Sequence, residues 1–184
     1  MRILPNMAIM APGDPVEVKA LLRCIYLRNG PAYMRIAKRG EPNVHPVHSN
    51  VVLGKAHRMV DGNDVSIFVC GRQLPNALAA SEMLRRDGIN SRVLSFHTLK
   101  PLDKVAIREA ARETKLMVTV EEHSILGGLG SAVAEVMAEE RLNLQLLRCG
   151  VPDEFQKGVG SQEYFLERYG LTPKGIAGSI KSKF

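Results

Sequence analysis

Ionisable side chains and glycines are concentrated in one stretch of the chain, VTVEEHSILGGLGSAVAEV. Glu121, Glu122 and His123 end an apolar run typical of a strand, and these residue types can act as general acids and bases. Three glycines follow, just before a helical pattern: Gly127, Gly128 and Gly130. Such a turn can bind a phosphate through free backbone N–H groups. The same residues also suit two structural roles, as an exposed polar strand end and as small residues for close packing within the domain or across a subunit interface.

A second stretch, HTLKPLDKVAIREAA, predicts a strand-to-helix turn. Asp103 is expected to cap the helix, and Leu102 and Ile107 have the spacing of a hydrophobic staple. This local structure leaves His97 and Lys100 unexplained. Open α/β sheets bind ligands near the carboxyl ends of their strands, so we interpret His97 as a candidate for a cleft or an interface.

Neither the cysteines nor the histidines form a metal-binding pattern. The three cysteines are scattered along the chain and include no C-x-x-C pair, which argues against a disulfide framework or a zinc site. His45 and His48 lie three residues apart, but Pro46 stands between them and no third ligand is near in sequence. No metal site is predicted.

Composition narrows the class of protein further. Hydrophobic residues make up 45% of the 184 residues and charged residues 24%, the balance of a globular domain. The net charge of +6 is dispersed, and aromatic residues amount to only 5% with no Trp, so nucleic-acid binding is not expected. No apolar run approaches the roughly 20 residues of a membrane span, and the N-terminus is a poor signal peptide. A cytoplasmic location without membrane contact is expected.

The first part of the chain predicts a β-α-β unit. A short apolar run precedes a helical pattern whose start is marked by Asp14 as N-cap, Pro15 at the first position and Glu17 at the third. PAYMRIAK is the second strand, and residues 39–52 are an irregular linker with two prolines. This unit is too small to bury a core by itself. We therefore expect it to have unpaired strand edges and lower stability than the rest, unless it packs onto the second domain or swaps between chains.

Beyond the linker, strands and helices alternate to the end of the chain. The turn residues Asp61-Gly62-Asn63 lie between two strand patterns and predict a hairpin. The strand-helix alternation after it predicts an α/β fold, with a largely parallel sheet, helices on both faces and one antiparallel edge strand. Two short helices are expected near the C-terminus.

Taken together and in this order, these motifs resemble the C-terminal end of transketolases, the thiamine-diphosphate enzymes that move two-carbon ketol units between sugar phosphates. PNMAIMAPGDPVEVKALL and GPAYMRIAK are similar to the end of the family's pyrimidine-binding domain. The stretch from GKAHRMVDGNDVSIFVCG to GLTPKGIAGSIKSKF resembles the complete C-terminal domain, including RCGVPDEF. The resemblance implies a pyrimidine-binding tail with linker over residues 1–50. It also implies a three-layer α/β/α domain with a five-stranded sheet over residues 51–184.

The resemblance also implies cofactors, partners and a substrate contact. The complete enzyme would use thiamine diphosphate and magnesium, but the chain has no Gly-Asp-Gly metal motif, and Glu17 does not match the family's catalytic glutamate. We therefore expect the chain alone to bind no cofactor, to have no catalytic residues and to be inactive. Its expected partners are an N-terminal transketolase part and a second copy in a homodimer, and its start within a domain suggests a truncated form. Lys38, followed by Arg39, stands where the family presents an arginine to the substrate's phosphate.

Two alternatives remain open from the sequence. Deoxyxylulose-phosphate synthase and the β subunit of 2-oxo-acid dehydrogenases share the same layout, so the chain could be a segment of either. The glycine-rich turn also permits a non-enzymatic α/β module that binds a small anion.

Overall fold

The computed structural model describes residues 1–37 and 40–184. The first part contains β1 (Ala8–Met10), α1 (Pro15–Leu27) and β2 (Ala32–Met34). After the linker come β3 (His57–Val60), β4 (Val65–Val69), α2 (Leu74–Arg86), β5 (Ser91–Ser95), β6 (Thr98–Lys100) and α3 (Lys104–Glu113). The chain continues through β7 (Leu116–Ser124), α4 (Leu129–Glu139), β8 (Leu146–Val151), α5 (Gln162–Arg168) and α6 (Pro173–Lys181).

A five-stranded sheet in the order β3-β5-β4-β7-β8 is the centre of the fold. All pairs are parallel except β3 with β5, so one antiparallel strand lies at the edge. Side chains alternate across the sheet: Ile67 belongs to the core formed with α2 and α6, whereas Phe68 belongs to the core formed with α3 and α4. Helices therefore cover both faces, and the predicted α/β architecture is confirmed.

The predicted hairpin at Asp61-Gly62-Asn63 is wrong. The strands β3 and β4 on its two sides do not pair with each other, because β5 lies between them. The turn wraps closely around the start of β5, where the Arg92 guanidinium donates to the carbonyl of Gly62 at 2.7 Å. A Cβ at Gly62 would clash with the backbone of Ser91. The turn residues therefore permit close backbone approach to a third strand rather than a two-strand reversal.

The N-terminal unit forms a β-α-β in which β1 and β2 pair in parallel, as predicted. The other edge of β1 pairs antiparallel with β6, from the HTLKPLD stretch. The sequence indicates only a turn in that stretch and suggests unpaired edges for the N-terminal unit. The pairing shows that the HTLKPLD stretch contains a strand and that both edges of β1 are paired. It joins the N-terminal unit to the rest of the chain, which agrees with the alternative that this unit packs onto the second domain.

The two helix N-caps indicated by the sequence are confirmed. The Asp14 carboxylate accepts a hydrogen bond from the backbone N–H of Glu17, and the Asp103 carboxylate accepts from Val105 and Ala106. Asp103 also accepts from the N–H of Ala56, so the cap connects α3 to the chain before β3. Within the described residues, no helix has both the length and the apolar content that crossing a membrane requires.

Candidate functional site

The glycine-rich turn between β7 and α4 is closed by the chain's own carboxylate. Glu121 ends the buried part of β7 and is itself fully buried. Its two carboxylate oxygens accept hydrogen bonds from the first N–H groups of α4, Leu129 at 2.7 Å and Gly130 at 3.0 Å. A carboxylate is well placed there, because the N-terminus of a helix carries a partial positive charge. These two donors are therefore bonded within the chain and are not free for an external phosphate.

Each of the three glycines in the turn is needed for a different structural reason. Gly127 has a φ of 76°, a conformation that side-chain-bearing residues rarely adopt. A Cβ at Gly128 would overlap a carboxylate oxygen of Glu121, so the cap requires glycine at that position. A Cβ at Gly130 would meet Arg148 and Thr119 at 2.8 Å, so this residue packs within the chain.

The side chain of Glu122 lies on the opposite side of β7 from that of Glu121 and forms the centre of an ion-pair network. Its side chain is only 7% exposed and lies 2.5 Å from the guanidinium of Arg35, just beyond β2. Arg72, from the short turn before α2, lies 3.8 Å from Glu122 and 3.5 Å from Glu41 in the linker. Gln162 of α5 contacts both Glu122 and Arg72. The network connects the N-terminal unit, the linker and α5 at the carboxyl end of β7.

His123 lies beside a cleft of about 210 Å³ between the N-terminal strands and the glycine-rich turn. Its Nε2 is 3.4 Å from Glu121, and its Nδ1 is 3.0 Å from the carbonyl of Ser124. Arg35, Gly127 and Gly128 also line the cleft. Of the predicted residues, His123, Gly127 and Gly128 therefore line this cleft, whereas Glu121, Glu122 and Gly130 do not.

Met1 and Arg2 also line this cleft. The guanidinium of Arg2 donates to the carbonyl of Gly127 at 2.9 Å and pairs with Glu135 at 2.6 Å. The ammonium of Lys100 donates to the carbonyls of Arg2 and Leu4. Lys100, which the local turn structure leaves unexplained, thus holds the N-terminal residues in place.

His97 is placed elsewhere. It is fully buried, its Nδ1 lies 2.9 Å from the hydroxyl of Thr98, and it does not line the cleft beside His123. Burial, with smaller contributions from His45 and His57, lowers the pKa of His97 to about 4. It is therefore neutral at physiological pH.

Sequence reasoning misses a buried polar cluster formed by Asp14, Glu17 and His45. Asp14 accepts from the backbone N–H groups of Val44 and His45, and its Oδ2 lies 3.0 Å from His45 Nδ1. His45 Nε2 lies 3.3 Å from Glu17 Oε1, while the other Glu17 oxygen accepts from the N–H of Gly13. The sequence explains Asp14 and Glu17 as helix-start residues alone. The only sequence signal for this cluster is the histidine beside Pro46 in the linker, and it does not show which residues His45 contacts.

The electrostatics of this cluster follow from its burial. Burial raises the pKa of Glu17, outweighing the hydrogen bond from the N–H of Gly13 and the charge of His45, which lower it. For His45, burial alone would lower the pKa, but the hydrogen bond to Asp14 and the charges of Glu17 and Asp14 raise it above 6.5. His57 lies across the ring of His45 at 4.8 Å, and its pKa is lowered by burial and by that neighbour.

Lys38 and Arg39, the predicted phosphate contacts, lie outside the described residues. Among the described residues, one group of possible metal ligands comes together: Cys70, Glu121 and His123, with ligand atoms within 4.8 Å of one another. Both Glu121 oxygens already accept from α4, and burial and the Glu121 charge raise the pKa of the Cys70 thiol. Mg²⁺ takes oxygen ligands, so this group does not fit magnesium or a magnesium-bound diphosphate.

The geometry defines a class: an α/β domain with a mainly parallel sheet covered on both faces and a charged cluster at the carboxyl ends of its strands. Residues 54–176, more than half of the chain, match the family model described as "Transketolase, C-terminal domain". The chain belongs to this family.

Curated relatives agree with this assignment. A Methanocaldococcus jannaschii protein named as a transketolase C-terminal section is 38% identical over 98% of this chain and 56% of its own length. An apulose-4-phosphate transketolase subunit from Phocaeicola vulgatus is 38% identical over 96% of this chain and 56% of its own length. The 1-deoxy-D-xylulose-5-phosphate synthase of Syntrophotalea carbinolica is 36% identical over 99% of this chain and 29% of its own. The chain spans about half the length of the first two relatives.

Solved structures show the same fold. A split gene transketolase, described as an inactive beta4 tetramer, superposes with a TM-score of 0.89 at 36% identity, over 99% of this chain and 58% of that chain. A transketolase from Pichia stipitis superposes with a TM-score of 0.72 at 17% identity, over 98% of this chain and 25% of that chain, and shows the fold alone.

Proposed function

We propose that the chain is the C-terminal segment of a thiamine-diphosphate-dependent transketolase that transfers two-carbon ketol units between sugar phosphates. The observation that carries the proposal is the match over 98% of the chain with a relative named as a transketolase C-terminal section. Two further relatives, the Phocaeicola protein and the split gene transketolase, are themselves transketolase parts by name. In this proposal, an N-terminal transketolase part is the required partner.

Apart from one proposed substrate contact, the segment's own role is structural in this proposal, and the chain alone is inactive. The bonding of Glu121 to the start of α4 supports this, because it leaves those N–H groups no capacity for a diphosphate. The poor fit of the Cys70 group to magnesium supports it as well. When bound in the complete enzyme, thiamine diphosphate would supply the carbanion chemistry, and magnesium would neutralise its diphosphate. The groups that bind them belong to the N-terminal partner.

Substrate contact is proposed at Lys38 and Arg39, which follow β2 in the sequence. Their two charges suit a sugar phosphate, although lysine binds phosphate as a point charge without the two parallel hydrogen bonds of arginine. The support for this contact is the resemblance, which places Lys38 where the family presents an arginine to the substrate's phosphate.

A segment of deoxyxylulose-phosphate synthase is the second candidate function. The 36% identity to the Syntrophotalea synthase over 99% of this chain favours it. The third alternative, a module that binds a small anion, depends on free N–H groups in the glycine-rich turn. Two of these N–H groups are bonded to Glu121, so the structure does not favour this alternative.

Reconstitution tests the proposal. The purified chain is titrated with thiamine diphosphate and magnesium by calorimetry, alone and after mixing with an N-terminal transketolase section from the same genome. We expect no micromolar binding by the chain alone, and both binding and ketol transfer in the mixture. Synthesis of deoxyxylulose phosphate without ketol transfer would select the second candidate. Ketol transfer by the chain alone would refute the division of roles.

A further inference from the structure

An open groove of about 500 Å³ lies between α1 and the linker, away from the cleft beside His123. Lys19 and Arg23, one helical turn apart, line the α1 side. Asn43, His48 and Ser49 line the linker side. The two linker histidines are thus separated in the structure, because His45 is buried against Asp14 while His48 is exposed at the groove.

The groove carries positive charge without compensation. No carboxylate lines it, and none of the ion pairs between described residues includes Lys19 or Arg23. By contrast, Arg85 and Arg86 on α2 both pair with Glu82. Like charges one turn apart on a helix repel each other, so an anion bound between Lys19 and Arg23 would remove an unfavourable interaction.

The linker wall of the groove is preformed. Asp14 accepts hydrogen bonds from the backbone N–H groups of Val44 and His45, and its carboxylate also contacts the His45 ring. These contacts fix the linker at Val44 and His45, beside Asn43, relative to the start of α1. A ligand in the groove therefore does not have to order this wall, which reduces the entropic cost of binding.

We propose that this groove binds a small phosphorylated metabolite through its phosphate monoester. Two cations on one wall can contact a dianion, and the Asn43 amide and the Ser49 hydroxyl on the other wall are neutral donors for its remaining oxygens. The volume lies within the usual range of metabolite pockets, and Val16 and Val47 provide apolar surface for the rest of the ligand. This site goes beyond the proposed function, because its cations are not the Lys38 and Arg39 assigned to the sugar-phosphate substrate.

Calorimetry with inorganic phosphate and pyrophosphate, on the full chain without a partner, tests the site. The groove variant is Lys19→Gln/Arg23→Gln. Its control is Arg85→Gln/Arg86→Gln, which removes the same charge from another exposed helix. We expect the groove variant to bind about tenfold more weakly and the control to change less than twofold. Lys38→Gln/Arg39→Gln should retain binding, which separates this site from the proposed substrate contact.

Amide shift mapping with pyrophosphate by NMR provides the second readout. We expect the perturbed amides to lie in the first three turns of α1 and in residues 43–49. Equal weakening in the groove and control variants would mean diffuse charge attraction and would overturn the proposal. So would absence of binding, loss of binding in Lys38→Gln/Arg39→Gln, or perturbations centred on the glycine-rich turn.

Discussion

The carboxylate of Asp14 lies 3.0 Å from Nδ1 of His45, and both side chains are completely buried although the residues are 31 positions apart. Burial alone would raise the pKa of Asp14, but hydrogen bonds from the His45 ring and from the backbone of Glu17 and His45 lower it to about 2. One charged carboxylate thus caps α1 and attaches the linker to it.

Replacing Asp14 should therefore cost much more than replacing an ordinary helix cap. We expect Asp14→Ala to lower the free energy of unfolding by about 3 kcal/mol, because the cap is lost and the N–H groups of the partly buried Val44 and the buried His45 lose their acceptor. Urea denaturation measures the loss. Asp61→Asn is the control, since its exposed side chain should allow a change of less than about 0.5 kcal/mol. Similar losses in the two variants would contradict this interpretation.

His45 should make stability depend on pH. The pKa of His45 is raised above 6.5 in the folded chain, so its contribution is fully present below that pH and is lost as the pH rises through the folded value. Burial raises the pKa of Glu17, which also makes stability fall as the pH rises above 4.5. We expect the difference in unfolding free energy between wild type and His45→Gln to shrink from pH 6 to pH 9.

The exposed His48 provides the matched control for this experiment, measured by urea denaturation at each pH. The difference between wild type and His48→Gln should stay constant across the same range. A constant difference for His45→Gln as well would show that its ring does not gain a proton on folding.

Two glycine-to-alanine substitutions should have opposite effects. Gly128→Ala places a Cβ against the Glu121 carboxylate and the His123 ring, so the cap of α4 must move, and we expect a loss of about 3 kcal/mol. Gly178 lies in α6 with open space around it, so Gly178→Ala should stabilise the chain by about 0.5 kcal/mol. Thermal unfolding compares the two variants, and a neutral Gly128→Ala would show that the Glu121 cap is not rigid.

The homodimer that the resemblance implies remains a prediction, and it can be tested at Ala134 on α4. This residue is partly exposed, whereas the neighbouring Ala132 and Val133 are buried against the sheet. If α4 contacts a second copy, Ala134→Trp should shift a dimer to monomer in analytical ultracentrifugation while circular dichroism stays unchanged. Ala138→Trp, on the exposed last turn of the same helix, is the control. A monomeric wild type would contradict the homodimer, and a dimer insensitive to Ala134→Trp would place its interface elsewhere.

Local patterns predicted most elements of this chain. The caps at Asp14 and Asp103 were readable because a capping residue bonds to N–H groups within three positions, and strand-helix alternation indicated a parallel sheet. The hairpin at Asp61-Gly62-Asn63 failed because a turn sequence specifies a reversal of the chain but not which strand pairs after it. In the structure β5, which follows later in the sequence, lies between β3 and β4 and pairs with both.

The sequence alone determined the family resemblance, the α/β class and the cluster of polar and glycine residues after β7, because each depends on residues that are close together in the chain. The tertiary structure decided what those residues contact. Only the folded chain brings Glu121 to the amides of Leu129 and Gly130, pairs β1 with β6, and buries His45 against Asp14. Contacts between segments that are distant in sequence depend on packing and burial, and local sequence patterns do not specify which distant segments pack together.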